Sequence, residues 1–475
     1  MKKIILIVVA IFIASITYAQ VEFWGATFVG GSNGGGSIFK TNDSGDNISN
    51  VRSFLNNASG DASSALPIMQ ASNGIIYGMT NRGGDNKRGT IYKYDIASST
   101  YTKLVDFDKT NKGSEPFGYL IQASNGKLYG MTPKGGLHGS GVIFQYNITT
   151  NTFIKKFDFG TTNTGEHPMG SFLKATNGKL YGMNREGGLN NKGIIFEYDP
   201  ATNIFTKKYD FTDIGGRRPN GTMMQALNGK IYGMTYSGGT NNDGVIFEYD
   251  PVTNVYTKKI NFDEITKGEH PADALLQASN GKLYGMTSEG GMYGKGVLFE
   301  YDIATNTFTK KVDFDGSSKG KYPVGKLMQA PNGKLYGLTS QGGANDTGVL
   351  FEFDPTTDIF TKKINLSNMY AYPSGHLIII GQTSSINSIT DNTSMMLFPN
   401  PNNGRFTLEI NSKNTKPEVY YLEVYSPIGA LIHNAKLELA SSLSKQMNFE
   451  NLSKGVYFIR LRSKNDVLNA RFIIQ

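Results

Sequence analysis

The chain has no cysteine, one tryptophan and only five histidines among its 475 residues. Without cysteine it forms neither disulfide bonds nor thiolate metal sites, so its stability must come from packing and hydrogen bonding. No histidine has a second ligand two or four residues away, the spacing that a local zinc site uses. No metal ion or other cofactor is therefore expected, and the histidines are interpreted as structural surface residues. They are His138, His167, His270, His376 and His433.

Long apolar runs are also missing, with one exception near the N-terminus. Lys2 and Lys3 precede an apolar run from Ile4 to about Ser15, and small residues follow up to Ala19. This pattern predicts a signal peptide over residues 1–19 that is cleaved after Ala19. The run is shorter than the roughly 20 residues of a membrane-spanning helix, so no transmembrane segment is expected in the mature chain.

Concentrated positive charge is absent as well. The formal net charge of +8 falls to +6 without the two lysines of the signal peptide, which leaves 45 basic and 39 acidic residues. The excess is spread along the chain, and no basic tract stands out. A nucleic-acid partner is therefore not expected.

Glycine and aromatic residues are abundant, and they mark a repeat. An aromatic-Gly pair recurs every 51 to 53 residues, and each copy holds four apolar runs of strand length separated by turn signals. Runs such as GVIFEY are apolar on both faces, so neighbouring copies must cover each sheet on both sides. The pairs begin at Trp24, Tyr77, Tyr129, Tyr181, Tyr232, Tyr284 and Tyr336.

The turns and the chain ends predict how the copies assemble. An Asn-Gly pair such as Asn280-Gly281 predicts a type I′ hairpin between the first two strands of a copy. The first copy begins at Glu22, already in its second strand, whereas the segment Pro373–Ile380 after the last copy matches a first strand. The two ends would complete one sheet and leave no open edge. We therefore predict an all-β protein whose residues 20–380 form a seven-bladed β-propeller with four-stranded blades.

The repeat resembles two known patterns. The segment from Tyr198 to Phe205 is similar to the kelch pattern of Tyr-Asp-Pro, Thr-Asn and a closing aromatic, although the usual Trp is replaced. The longer pattern GKLYGMTxxGGxxxxGVIFEYD resembles the tandem repeat of bacterial choice-of-anchor, GloVer-type proteins. That resemblance implies a secreted repeat protein and no particular activity.

The chain changes character after residue 380. Residues 381–394 are small and polar, which predicts a linker, and residues 395–475 predict a small C-terminal β-sandwich. This end resembles the C-terminal sorting domain of the type IX secretion system of Bacteroidetes-like bacteria. The resemblance implies the type IX machinery as a partner and a secreted protein or one at the outer-membrane surface. Its motif residues are Pro399, Asn400, Pro401, Gly404, Gly455 and Tyr457.

No unique catalytic set is visible in the repeat. Ser32 fits a Gly-x-Ser-x-Gly pattern, but it lies between two strands, where a nucleophile elbow needs a strand followed by a helix. The recurrent Asp-Phe that ends the fourth strand, as at Asp158 and Asp210, is interpreted as scaffold, because carboxylate catalysis needs one unique pair. The sequence therefore names no catalytic residue.

Residues that break the repeat indicate where function lies. The loop from strand four to the next strand one and the loop from strand two to strand three emerge at the same end of a meander. The variable positions of the first loop are Glu166, His167, Arg217, Arg218, Glu269, His270, Lys321, Tyr322, Tyr370 and Tyr372. Those of the second loop are Lys134, His138, Arg185, Tyr236, Glu289 and Tyr293.

Two functions are compatible with this face. Charged and aromatic groups around a shallow depression favour a monomeric binding or adhesion module for a carbohydrate or a surface protein. The alternative is a polysaccharide-acting hydrolase or lyase on the same scaffold. A third interpretation is that these residues form an ordinary solvated rim.

Overall fold

The computed structural model describes residues 21–55, 62–160, 162–381, 393–398, 404–412, 418–426, 430–439, 442–453, 455–463 and 467–474. The chain divides into two compact units. One unit is Phe23–Ile380, and the other contains the described residues of the C-terminal region. The predicted signal peptide with Ala19, most of the predicted linker, and Pro399, Asn400 and Pro401 lie outside the described residues.

The first unit is built from antiparallel sheets, and the described residues contain seven of them. The strands follow chain order in each sheet except the first, which the last strand of the unit completes. We call them blades 1 to 7. Blade 1 contains Val21–Thr27, Gly34–Thr41, Ser49–Leu55 and Ile378–Gly381; blade 2 contains Ala62–Ala65, Met69–Gln70, Ile76–Gly83, Thr90–Asp95 and Thr100–Asp106; blade 3 contains Ile121–Gln122, Leu128–Thr132, Val142–Asn147 and Thr152–Asp158; blade 4 contains Leu173–Lys174, Leu180–Asn184, Ile194–Asp199 and Ile204–Asp210; blade 5 contains Met224–Gln225, Ile231–Thr235, Val245–Asp250 and Val255–Asn261; blade 6 contains Glu269–Pro271, Leu276–Gln277, Leu283–Glu289, Val297–Asp302 and Thr307–Asp313; blade 7 contains Lys321–Gln329, Leu335–Gln341, Val349–Asp354 and Ile359–Asn365. A short 3-10 helix, Asn368–Tyr370, precedes the return of the chain to blade 1.

The two ends of the repeat region meet in blade 1, as the sequence predicts. The strand Ile378–Gly381 lies beside Val21–Thr27, and the Ser374 N–H donates to the carbonyl of Ala26 at 3.0 Å. Blade 7 packs against the strand Val21–Thr27, since the rings of Phe23 and Tyr336 are 4.7 Å apart. The sheets therefore form a closed ring.

Neighbouring blades are joined by apolar layers. The cluster between blades 3 and 4, for example, combines Tyr129 and Ile143 with Leu180 and Phe196, all fully buried. Each such layer removes both faces of a strand from water, which explains why the second and third strands are apolar at consecutive positions. Packing between blades is thus the main source of stability in a chain without cysteine.

The Asn-Gly turns differ from the prediction of type I′. Gly74 has a φ of 77°, but Asn73 is not among the non-glycine residues with positive φ. The Gly74 N–H donates to the carbonyl of Ala71, and the Asn73 side-chain oxygen accepts the N–H of Ile75. The hairpin is therefore a type I turn followed by a left-handed glycine, the three-residue alternative to the two-residue loop.

A polar network recurs beneath these hairpins and accounts for several positions that repeat from copy to copy. In blade 6 Asn280 donates to the hydroxyl of Tyr284 at 2.9 Å, and Tyr284 donates to Glu300 at 2.6 Å. Lys282 also reaches Glu300, at 2.7 Å. Burial alone would raise the pKa of Glu300, but these contacts hold that pKa below its usual value. The network satisfies the hydrogen-bonding groups of these buried side chains, so we interpret the four residues as structural.

The second unit is a sandwich of two sheets, as predicted. A three-stranded sheet contains Thr393–Phe398, Arg405–Ser412 and Ser442–Asn448, and a four-stranded sheet contains Leu431–Leu439, Glu418–Tyr425, Gly455–Arg462 and Val467–Ile474. Leu408 and Leu422, one from each sheet, share an apolar core. The motif residue Tyr457 is buried in that core, and its hydroxyl donates to the carbonyl of Ser453 at 2.7 Å.

Candidate functional site

The loops that carry the variable residues meet on one face of the ring, which we call the loop face. Glu166 pairs with Glu186, Arg217 with Ser237, and Glu269 with Glu289 across these loops. The first residue of each pair lies in the segment that leads into strand one, and the second lies at or just beyond the end of strand two. The predicted convergence of the two loop sets is therefore present in the structure, whereas their role in binding stays a prediction.

One position on the loop face has the same unusual backbone in six blades. A proline lies in the segment that leads into strand one, and the residue before it has a φ between 51° and 56°. This is the left-handed region, which residues other than glycine rarely occupy. Backbone hydrogen bonds to both neighbouring loops hold it there; Arg218, for instance, donates to Lys192 at 3.0 Å and accepts from Tyr236 at 3.2 Å. The six residues are Glu115, His167, Arg218, His270, Tyr322 and Tyr372.

The side chains at these strained positions are large and differ from blade to blade. Glycine would fit this backbone without the penalty of roughly 1 kcal/mol that a left-handed side chain carries. Strain of this kind concentrates at functional sites, where the side chain itself is needed. The backbone conformation recurs from blade to blade and is part of the scaffold. The side chain at this position differs between blades, so the scaffold does not require a particular residue there.

Inside this ring of residues lies an axial cavity of about 490 Å³ to which all seven blades contribute. Two aromatic rings at its wall are partly open to solvent, since Phe117 is 44% and Tyr372 is 41% exposed. The sequence named Tyr372 but not Phe117. One wall residue from each blade, in chain order, is Phe28, Pro67, Tyr119, Ser171, Thr222, Asp273 and Gly325.

Polar groups are unevenly distributed around this cavity. Ser171 Oγ accepts the N–H of Tyr119 at 2.7 Å, Thr222 Oγ1 accepts that of Ser171 at 3.1 Å, and Asp273 accepts that of Thr222 at 3.0 Å. Burial raises the pKa of Asp273, against the opposing effects of the Thr222 N–H and of the charge of Lys326. The side-chain oxygen of Asn220, also in the wall, is buried and has no hydrogen-bond partner.

His376 corrects the interpretation of the histidines as surface residues. It is only 6% exposed, and its ring packs edge-on against Tyr119 at 4.7 Å. Burial lowers its pKa well below the usual value, and the nearby charge of Lys326 lowers it further, so the ring is neutral at pH 7. The Lys326 ammonium also lies 5.5 Å from the centre of the Tyr119 ring. Tyr119, Lys326, His376 and Asp273 thus form a polar cluster beside the axial cavity.

Sequence comparison identifies the repeat. The model of the Gloeobacter/Verrucomicrobia repeat matches residues 12–167, 149–317 and 266–392, which together cover most of the chain. The chain belongs to the Gloeobacter/Verrucomicrobia repeat family. A search of curated proteins gives no match. Membership therefore confirms the predicted repeat architecture without adding an activity.

Solved structures resemble this family member in fold alone. A putative 6-phosphogluconolactonase from Bacteroides fragilis has a TM-score of 0.53 at 14% identity and covers 77% of this chain and 99% of its own. The periplasmic gluconolactonase of Pseudomonas aeruginosa has the same score and identity, with coverages of 76% and 99%. A putative 6-phosphogluconolactonase from Bacteroides uniformis scores 0.50 at 13% identity, with coverages of 76% and 100%.

The C-terminal unit determines where the repeat protein is sent. Residues 396–475 match the secretion system C-terminal sorting domain. The repeat protein is therefore exported by the type IX system and is secreted or displayed at the cell surface. Within the described part of the chain, no helix has the length and apolar character needed to cross a membrane.

The remaining predicted site residues differ in how firmly they are held. Arg217 is fixed by Asp213 at 3.2 Å and Asn242 at 2.7 Å, and Lys321 pairs with Asp346 at 3.0 Å. The hydroxyl of Tyr322 lies 3.4 Å from the ammonium of Lys295. These side chains are positioned by their neighbours before any ligand arrives.

Tyr370 differs from the other candidates because it serves packing. It lies in the short helix before the closing strand, is half-buried, and packs edge-on against Phe39 at 5.9 Å. Burial raises the pKa of its hydroxyl. Tyr370 therefore has a packing role in the structure, and its role in binding stays a prediction.

The recurrent aspartate that ends the fourth strand has a structural task in every blade that carries it. Asp158 accepts the N–H of Leu137 at 2.8 Å, and Asp210 accepts that of Leu189 at 2.7 Å. Each carboxylate thereby closes the loop between the second and third strands of its own blade. Ser32, the other catalytic candidate considered, lies in the loop between Val21–Thr27 and Gly34–Thr41, and its N–H donates to the hydroxyl of Ser53 at 3.0 Å.

The strain at the loop face predicts a stabilising substitution. Arg218 is exposed and its backbone hydrogen bonds do not depend on its side chain, so Arg218→Gly should raise the free energy of unfolding by roughly 0.5 kcal/mol. Arg218→Ala keeps the strained Cβ and should give no such gain. The urea midpoints of the two variants test this. Equal midpoints would show that this backbone carries no strain.

Proposed function

We propose that this repeat protein is an extracellular binding module that takes a carbohydrate at the axial cavity of its loop face. The observation that carries the proposal is the pair of half-open aromatic rings, Phe117 and Tyr372, at a cavity inside a ring of variable, strained side chains. Aromatic faces offer flat apolar area to the C–H face of a sugar. Binding sites of this type combine an apolar wall with a few oriented polar groups.

The polar groups of the wall suit sugar hydroxyls. The unpartnered side-chain oxygen of Asn220 is an acceptor that a ligand hydroxyl would satisfy. Asp273 has a raised pKa, and its carboxyl lies beside the cavity in the same wall. Arg217 and Lys321 on the surrounding face are held by carboxylates and add charged groups at the rim. A neutral or acidic oligosaccharide fits this combination better than an apolar ligand does.

A glycan array with the secreted protein tests the proposal. The double variant Phe117→Ala with Tyr372→Ala should weaken binding of any retained glycan by about tenfold or more, because two stacked rings contribute roughly 1 kcal/mol each. Leu227→Ala is the matched control, since Leu227 is 72% exposed in the hairpin loop at the opposite end of blade 5. Equal loss in both variants would place the site elsewhere, and silence on every glycan would favour a protein partner.

A hydrolase or lyase acting on polysaccharides is the second candidate, and the polar cluster beside the cavity favours it. Tyr119 and a neutral His376 are groups that exchange protons during sugar cleavage, and Lys326 is a cation near both. Product formation from a bound glycan, lost in His376→Gln and in Lys326→Met, would establish catalysis. Retention of the glycan without products would leave the binding module.

A further inference from the structure

A second group of side chains on the loop face lies between blades 5 and 6 and does not line the axial cavity. His270, Glu269 and Glu289 each place one ligand atom within 4.8 Å of the others. The Nδ1 of His270 is 3.6 Å from Glu289 Oε2, close to the separation of about 3.4 Å between two ligands of one tetrahedral zinc ion. The described part of the chain contains no second group of this kind.

The His270 ring is held in place but its nitrogen is unused. It stacks on Tyr236 with ring centres 4.3 Å apart and an angle of 9° between the planes. Its Nδ1 is buried and has no hydrogen-bond partner. A buried nitrogen without a partner is costly unless something outside the protein satisfies it. The fixed ring therefore presents a nitrogen that is ready to bind a ligand.

Acidic side chains lie close together around His270. The carboxylate oxygens of Glu269 and Glu289 lie within 4.8 Å of each other and of the His270 nitrogen. The chain of Asp243 is also adjacent, since its carbonyl accepts the backbone N–H of His270 at 3.1 Å. Among the described residues, no lysine or arginine lies within ion-pair distance of Glu269 or Asp243. The charges of Arg185 and Arg218 act on the nearby Tyr236 hydroxyl, but in the part of the chain that the structure describes neither arginine forms an ion pair with this group. A cation would relieve the repulsion.

Blade 4 provides an internal comparison, because it repeats the sequence Gly-Glu-His-Pro. There His167 Nδ1 is 3.3 Å from Glu186, so its nitrogen already has a partner. The backbone N–H of His270 donates to the carbonyl of Asp243, whereas the backbone N–H of His167 donates to the carbonyl of Ser140. The blade 4 copy thus lacks both the free nitrogen and the additional carboxylate.

We propose that His270, Glu269 and Glu289 bind a divalent transition-metal cation such as Zn²⁺. One imidazole and two carboxylates are a donor set that zinc accepts. Three protein donors leave at least one coordination position open. Glu289 is 46% exposed, so the ion would be reached from solvent. The copy at His167 is not a metal site.

Isothermal titration of ZnCl₂ into the full chain without an affinity tag tests this proposal. We expect one high-affinity site and a rise in the melting temperature on zinc addition. His270→Ala and, independently, Glu289→Gln should weaken the affinity at least tenfold and remove the thermal shift, because ligand loss has at least the effect of losing a supporting residue. Far-UV circular dichroism confirms that the variants are folded.

The matched controls are His167→Ala and Glu186→Gln in blade 4, which should leave zinc affinity unchanged. The proposal is overturned if the unaltered chain binds no zinc. It is also overturned if His270→Ala and Glu289→Gln bind as the unaltered chain does, or if the blade 4 variants weaken binding equally. Because none of these residues lines the axial cavity, loss of glycan binding and loss of zinc binding are separable results.

Discussion

A chain that ends at Tyr372 should lose the cooperative unfolding transition of the propeller. It lacks the closing strand Ile378–Gly381, and with it Leu377 and Ile380, which are 2% and 1% exposed. Each buried aliphatic side chain contributes roughly 1.5–3 kcal/mol to the free energy of unfolding. The hydrogen bonds between the closing strand and Val21–Thr27 are lost as well. The total is comparable with the 5–15 kcal/mol that holds a typical domain folded. The measurement is urea unfolding followed by tyrosine and tryptophan fluorescence.

The control is a chain that ends at residue 392, which keeps the closing strand and removes the sorting domain. This chain should unfold at nearly the same urea concentration as the full propeller, because the core of the second unit contains no propeller residue. If both truncated chains unfold at the same midpoint, closure contributes nothing. The expected difference arises because an open blade 1 exposes a strand edge and part of its apolar layer.

The architecture follows from the sequence because each blade repeats a local pattern. The aromatic-Gly pairs, the apolar third strands and the split first blade predict the sheets and their order. The type of the Asn-Gly turn could not be predicted from the sequence in the same way. An Asn-Gly pair suits both type I′ and the three-residue turn, and what decides is that Asn73 accepts the N–H of Ile75 while Gly74 alone takes positive φ.

The axial cluster could not be predicted from spacing. Tyr119, Lys326 and His376 are separated by up to 257 positions in the chain. They meet because each occupies the same place in the first-strand segment of a different blade. A signal was nevertheless available. The position before them is Gly118, Gly325 or Gly375, so an alignment of the first-strand segments would have shown a variable residue after a glycine that recurs in most copies.

The candidate metal site illustrates a second limit. The sequence-based search considered ligands two or four residues from a histidine, which detects sites on one helix or strand. Glu289 follows His270 by 19 residues, and it approaches because the loop before strand one pairs with the end of strand two. Repeat register, rather than local spacing, is what brings such residues together in a propeller.

Gly221→Ala should destabilise the propeller by about 3 kcal/mol or more. Gly221 lies in the first-strand segment of blade 5, and a Cβ there would be 2.6 Å from the carbonyl carbon of Asp273 in blade 6 and closer still to its oxygen. Backbone cannot yield as a flexible side chain does, so the two blades would have to separate. Gly170 makes the same approach to Gly221, which shows that glycine here sets the width of the ring. The urea midpoint measures the loss.

Gly229→Ala in the same blade separates steric contact from backbone conformation. Gly229 has a φ of 81° and open space around the would-be Cβ, so its replacement should cost only about 1 kcal/mol, the penalty of a left-handed alanine. Gly221 lies outside that region of φ, and its cost is therefore contact alone. A Gly221→Ala chain as stable as Gly229→Ala would mean that the blades adjust freely at the axis. The cavity wall would then be too soft to position a ligand.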